Sequence, residues 1–157
     1  MGADMSLVIC RADPWSEPVQ QIFRQSEAYL AALYPAESNH IESAEALTKD
    51  NVVFLGVYWH GELAGCGAVK ILSDDGLYGE VKRVFVLPEF RGQGLSKALM
   101  GELEQQLKAK SVSLARLETG IHQPEALGLY EKLGYQYRPP FAGYQPDPLS
   151  VFMEKSL

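Results

Sequence analysis

Apolar residues recur along this chain in two rhythms, and the alternation between them divides it into helices and strands. From Ser16 to Leu33, the residues Val19, Ile22, Phe23, Ser26, Tyr29, Leu30 and Leu33 share one helical face, with Ser16 as N-cap and Pro18 in the first turn. Tyr34-Pro35 ends that helix. Leu95, Leu99, Leu103 and Leu107 repeat every fourth position and predict a second long helix, Pro124 to Leu133 predicts another, and Ser38 to Thr48 a short one. β-Branched and aromatic runs predict strands at Leu7–Arg11, Val52–Trp59, Glu62–Leu72, Tyr78–Leu87 and Ser113–Thr119, with two short ones near 135–138 and 151–155. A hairpin turn is expected at His60-Gly61 and another turn at Asp74-Asp75-Gly76.

The element order is therefore β-α-α-β-β-β-α-β-α-β-β. The strand, loop, helix and strand between Tyr78 and Thr119 call for a parallel neighbour. With 157 residues, 46% of them hydrophobic, and neither repeats nor low-complexity segments, one domain over 1–157 is expected.

The junction Arg91-Gly92-Gln93-Gly94 carries the first chemical signal. Glycines let the backbone come close to a ligand, and the opening N–H groups of the following helix face outward with the positive end of its dipole, so an anion is the expected guest. Lys97 stands where a dinucleotide fingerprint needs its third glycine, and no P-loop pattern is present. The segment resembles the acetyl-CoA loop of the GNAT superfamily of N-acetyltransferases, Arg/Gln-x-x-Gly-x-Gly/Ala, with Arg91, Gly94 and Ser96 at its positions. The run Ala126 to Tyr135, ALGLYEKLGY, is similar to the family's next helix, and the likeness extends over essentially the whole chain.

That resemblance implies an α/β (α+β) GNAT acyl-CoA acyltransferase fold. Its central sheet would be mixed and mostly antiparallel, of about seven strands with about four helices, splayed between strands 4 and 5. It also implies acetyl-CoA as cofactor. Backbone groups of Val84 and Val86, with Phe85 between them, would pair with the pantetheine arm, and Arg91, Gly92, Gln93, Gly94, Leu95, Ser96 and Lys97 would hold the diphosphate. Tyr130 falls where the family carries a tyrosine that reaches the CoA sulfur and acts as general acid; on residue type alone it would simply pack under the sheet.

An alkylammonium with a pKa near 10 costs about 4 kcal/mol to deprotonate at pH 7, so a base is expected. Glu80 ranks narrowly ahead of Glu118 for that role, each with an ion-pairing alternative, and His40 and His122 can also take a proton near neutral pH. By resemblance the connector holding Tyr34, Glu37 and Ser38 walls the acceptor cleft, and a capping role for Ser38 is compatible with that. The proline-rich connector Arg138 to Ser150, with Phe141 and Tyr144, is either a second wall, a cover for the sheet edge or a dimer contact.

Charge and cysteine usage narrow the partners. Fourteen basic and 20 acidic residues give −6, with no long basic run, which argues against nucleic acid and anionic membranes. The sequence shows no apolar stretch of membrane-spanning length and no signal-like start, so a cytoplasmic location is expected. The opening MGADMS formally matches a myristoylation pattern at Gly2, without a second membrane signal. Cys10 and Cys66 have no ligand spacing, no metal is expected, and both are expected to be buried. The resulting expectation is acetyl transfer to a primary amine of a small molecule, by direct attack in a ternary complex. A protein lysine or N-terminal acceptor and a non-catalytic acyl-CoA sensor are the alternatives, and homodimers are common among similar proteins.

Overall fold

The computed structural model describes residues 6–157, so Gly2, on which the myristoylation pattern turns, lies outside the described residues. The strands are β1 (Leu7–Arg11), β2 (Val52–Trp59), β3 (Glu62–Leu72), β4 (Tyr78–Val86), β5 (Leu114–Gly120), β6 (Gln136–Arg138) and β7 (Ser150–Ser156). They form one sheet in the order β1-β2-β3-β4-β5-β7-β6. Every neighbouring pair is antiparallel except β4 with β5. The β2–β3 hairpin turns at His60 and Gly61, both at positive φ, as a two-residue turn that continues the strand twist requires.

Among the described residues three α-helices flank the sheet: α1 (Glu17–Leu33), α2 (Leu95–Ala109) and α3 (Pro124–Lys132). The helix expected over Ser38 to Thr48 is replaced by two 3₁₀ turns, Ala36–Ser38 and Ala46–Thr48. Of their side chains only Leu47 is buried, so no apolar stripe holds a longer helix against the sheet. Ser16 does occupy the N-cap of α1, but its hydroxyl donates to the Asp13 carbonyl at 2.9 Å instead of capping the helix. Cys66 is buried as expected, whereas Cys10 is exposed, because β1 is an edge strand with a solvent-facing side.

The two faces of the sheet bury different material. Under α2, Leu99, Met100, Leu103 and Leu107 pack on Val53, Leu55, Val69 and Val81. The contact is close because Gly79 has no side chain: a Cβ there would stand 2.3 Å from a Leu107 methyl. On the other face, Val19, Ile22 and Phe23 of α1 cover Phe54, Cys66 and Ala68.

Strand β4 changes its alternation at Arg83, which has φ +60° and coincides with a register shift between Cys66 and Ala68 on β3. Sequence alternation would leave Glu80, Lys82 and Val84 on one face. The bulge instead sends Val84 to the α2 side against Leu99 and Leu103, next to Gly67, while Glu80 and Lys82 stay on the α1 side. Beyond this point the sheet opens. The β4–β5 pairing runs from Gly79↔Ala115 to Val81↔Leu117, after which β4 stays with β3 as far as Val86, and β5 with β7 as far as Gly120.

Candidate active site

One wall of the resulting wedge is the free edge of β4. Val84, Phe85 and Val86 lie past the last β5 pair, so their backbone groups on that side have no strand partner. Gly94 is the N-cap of α2 at φ +75° and Gly92 has φ +84°, a region open to glycine and strained for other residues. A Cβ at either would meet nothing within 4 Å, so the turn is bare backbone facing open space. The first-turn N–H groups over Leu95, Ser96 and Lys97 have no helical acceptor. Leu95 turns its side chain into the core, and Lys97 is exposed. Arg91 ties the loop to the strand: its Nε donates to the Val86 carbonyl at 3.1 Å, and its guanidinium lies 5.4 Å from the Phe85 ring. Gln93 is exposed on the same turn. Adjacent open amides and a free strand edge fit a diphosphate followed by an amide-bearing arm.

The wedge leads into a cleft lined by Tyr34, Ser38, His40, Lys82, Val84, Glu118, Ser150 and Tyr130, among others. Tyr130 projects from α3, is 8% exposed, and stacks edge-on to Tyr135. Its hydroxyl makes no hydrogen bond among the described residues, and burial pushes its pKa up to about 12. Tyr34 lies across Gly120, where a Cβ would overlap its hydroxyl, and that oxygen accepts from the His122 N–H at 3.0 Å and donates to Gln123 at 3.2 Å. Ser38 donates to Asp147 at 2.6 Å, which joins the two connectors that the sequence marks as walls. Glu37 is exposed and outside the cleft lining.

The two candidate carboxylates differ in setting. Glu80 is 3% exposed and accepts from Tyr144 Oη at 2.6 Å and from Lys82 Nζ at 3.4 Å. Burial raises its pKa, opposed by the Lys82 charge and the Tyr144 hydroxyl. Burial and the Glu80 charge also raise that of Tyr144. Lys82 is held as well by the His40 carbonyl at 3.1 Å and by Tyr144 at 2.9 Å. Glu118 lines the cleft, with His40 Nδ1 at 2.8 Å and Ser150 Oγ at 2.9 Å. Phe141 belongs to a separate cluster with Tyr78 and Phe152, at the back of Tyr144.

Sequence reasoning passed over Lys82, Gly120, Gln123 and Ser150 as cleft residues. Only the Thr119-Gly120 step at the end of a strand hinted that something lies close against the backbone there. Among the described residues no group of His, Cys, Asp and Glu has the arrangement to hold a metal ion, and no helix is long and apolar enough to cross a membrane.

Comparison with known proteins accords with this geometry. The Acetyltransferase (GNAT) family model matches residues 15–135. A protein of Azospirillum brasilense named IAA acetyltransferase is 42% identical over 152 residues, covering 97% of this chain and 99% of its own. The "Uncharacterized N-acetyltransferase YsnE" of Bacillus subtilis (strain 168) is 35% identical over 131 residues, 82% of this chain and 85% of its own. A solved Klebsiella pneumoniae structure assigned to the acyl-CoA N-acyltransferases is 38% identical with a TM-score of 0.79, covering 96% of this chain and 97% of its own. The PaiA N-acetyltransferase of Thermoplasma acidophilum, solved in complex with coenzyme A, shares the fold at 23% identity, with a TM-score of 0.77 over 98% of this chain and 100% of its own. With a family match over most of its length and a splayed sheet opening beside a bare amide turn, this chain belongs to the GNAT family of acetyltransferases.

Proposed function

We propose that the protein transfers an acetyl group from acetyl-CoA to the primary amine of a small molecule. The observation that carries this reading is the free β4 edge, Val84 to Val86, standing beside the open amide turn at Gly92 and Gly94 and leading into the cleft. Amides at a helix N-terminus suit a diphosphate, and an unpaired strand edge suits an extended arm with its own amides. When bound, acetyl-CoA supplies the thioester carbonyl that an amine attacks and the sulfur that departs. Arg91 keeps the turn fixed to the end of β4, so both parts of that grip hold one geometry.

Tyr130 faces the departing sulfur in this reading. A phenol near pKa 12 is a weaker acid than an ordinary thiol at about 8.5, so Tyr130 keeps its proton while the sulfur carries charge. It stabilises the thiolate by donating a hydrogen bond. Glu80 lies outside the cleft lining and is spent on Lys82 and Tyr144, so proton removal belongs on the Glu118 side.

A small acceptor is supported by the two connectors joined through Ser38 and Asp147, which enclose the cleft, and by the name of the 42% identical IAA acetyltransferase. A protein acceptor would need an open groove there. The test combines calorimetry with acetyl-CoA and thiol release across glycine, L-lysine, ethylamine and spermidine. Uptake with amine-dependent thiol release is the expected result. Uptake without it would leave an acyl-CoA sensor, and no uptake would end the reading altogether.

A further inference from the structure

We propose that His40 is the catalytic base of the acetyl transfer and that Glu118 is the residue that positions it; the assignment rests on the reading just given. His40 Nδ1 lies 2.8 Å from Glu118 Oε2, and the same oxygen accepts the Ser150 hydroxyl at 2.9 Å. A carboxylate on Nδ1 selects the tautomer protonated there and leaves Nε2 as an acceptor. The imidazole is 33% exposed and the carboxylate 11%, so the ring reaches the cleft with the carboxylate behind it. Glu118 comes one residue after the last β4–β5 pair, Val81↔Leu117, which puts the dyad at the mouth of the splay, in the cleft that Tyr130 also lines.

Three elements hold the ring in place besides its own connector. Strand β5 contributes Glu118, strand β4 contributes Lys82, whose ammonium holds the His40 carbonyl at 3.1 Å, and the 139–149 connector contributes the Tyr144 ring at 5.0 Å. The 139–149 connector also brings the Asp147 carboxylate within electrostatic reach of the ring. Glu42 and Glu80 face the same ammonium at 3.8 and 3.4 Å, so Lys82 is balanced by its own carboxylates.

The type of group matters as much as its place. An ordinary imidazole, near 6.5, is about two pKa units closer to an alkylammonium than an ordinary carboxylate near 4.3, and a base works best near the operating pH. Glu118 already accepts two hydrogen bonds, both on the Oε2 that meets His40.

In the step, one ammonium proton passes to Nε2 while the Nδ1 proton stays against Glu118. The freed amine forms the N–C bond, the C–S bond breaks, and the second nitrogen proton leaves with the thiol. The imidazolium then returns its proton to solvent, so an ammonium and a thioester give an amide, a thiol and one proton.

The test uses the panel amine turned over fastest. His40→Gln is expected to lower kcat/KM by about 10²–10⁴-fold and to abolish the rise in rate through the imidazole range, with acetyl-CoA uptake unchanged by calorimetry. Hydroxylamine, already unprotonated at neutral pH, should suffer far less, and added imidazole should restore part of the rate of His40→Ala. A structural role would produce neither selectivity nor rescue. Independently of turnover, ¹⁵N spectra of the unliganded protein should show the Nδ1–H tautomer, lost in Glu118→Gln. An Nε2–H tautomer in the wild type, or a His40→Gln variant with an unchanged pH profile, overturns the proposal. Absence of acetyl-CoA uptake by the wild type counts against the acetyl-transfer reading itself, and the tautomer still decides the dyad.

Discussion

Strand β4 has two faces that bury opposite kinds of group. Toward α2 it presents Gly79 and Val81 to Leu107 and its neighbours, an apolar contact in which the missing side chain at 79 admits the leucine. Toward the connectors it buries Glu80 and Lys82, 3% and 8% exposed, at alternate positions of the same strand. A buried charge is costly unless paired and hydrogen-bonded. Here the partners arrive from segments remote in sequence: Tyr144, the His40 carbonyl and Glu42. The difference teaches that the α2 face makes the fold stable, while the other face fixes loops, and those loops shape the cleft.

If that division holds, the largest effect on stability lies away from the chemistry. Leu103, fully buried beneath β3 and β4, should cost about 2–5 kcal/mol on substitution by alanine, read from urea midpoints. Activity per folded molecule should stay at the wild-type level. A parallel fall in turnover would show that the two faces are coupled through β4.

Tyr130→Phe should do the opposite. Its hydroxyl bonds to nothing in the described structure, so stability should change little. Losing a hydrogen bond to a charged sulfur should lower kcat by about 10- to 150-fold, from roughly 1.5–3 kcal/mol, with acetyl-CoA affinity near normal. Stopped-flow thiol release together with calorimetry would separate the two. An unchanged kcat would return Tyr130 to a packing role.

Glu80→Gln sharpens the comparison through pH. Burial raises the folded pKa of Glu80, so the folded state holds its proton more tightly, and its contribution is complete below the unfolded value and lost as pH rises through the folded one. Glutamine does not titrate. Urea midpoints at pH 5 and pH 8 should therefore show the difference moving in favour of the variant at the higher pH, by less than the Leu103→Ala effect. A difference independent of pH would mean that Lys82 already cancels the cost of burial.

The apolar face was largely legible in the sequence, because it depends on periodicity within single segments. The strands Val52–Trp59 and Glu62–Leu72 and the leucine repeat of α2 were expected where they occur. The open amide turn was legible too, since Arg91 to Gly94 form one contiguous run. Two features were hidden for physical reasons. A non-glycine bulge at Arg83 moves Val84 to the opposite face without any local residue signal. The cleft joins His40, Glu118 and Ser150, which are separated by 78 and 32 positions, so only the folded sheet brings them together.

The smallest expected effect tests whether the connectors act as a unit. Ser38 donates to Asp147 at 2.6 Å, and Asp147 also accepts the Leu149 N–H at 2.9 Å. The Ser38 hydroxyl first, and that N–H second, hold the Asp147 carboxyl below the ordinary carboxylate range. The link is therefore complete at neutral pH and is lost as pH falls through the lowered folded value. Ser38→Ala removes one bond from a partly exposed pair, so thermal stability should barely move. If the pair only keeps the cleft enclosed, KM for the acceptor amine should rise while kcat and acetyl-CoA affinity hold, as expected when binding is lost equally from ground and transition states. A fall in kcat at unchanged KM would mean that the connectors align the reacting groups themselves, and the contrast between a stabilising face and an enclosing face would have to be redrawn around the loops.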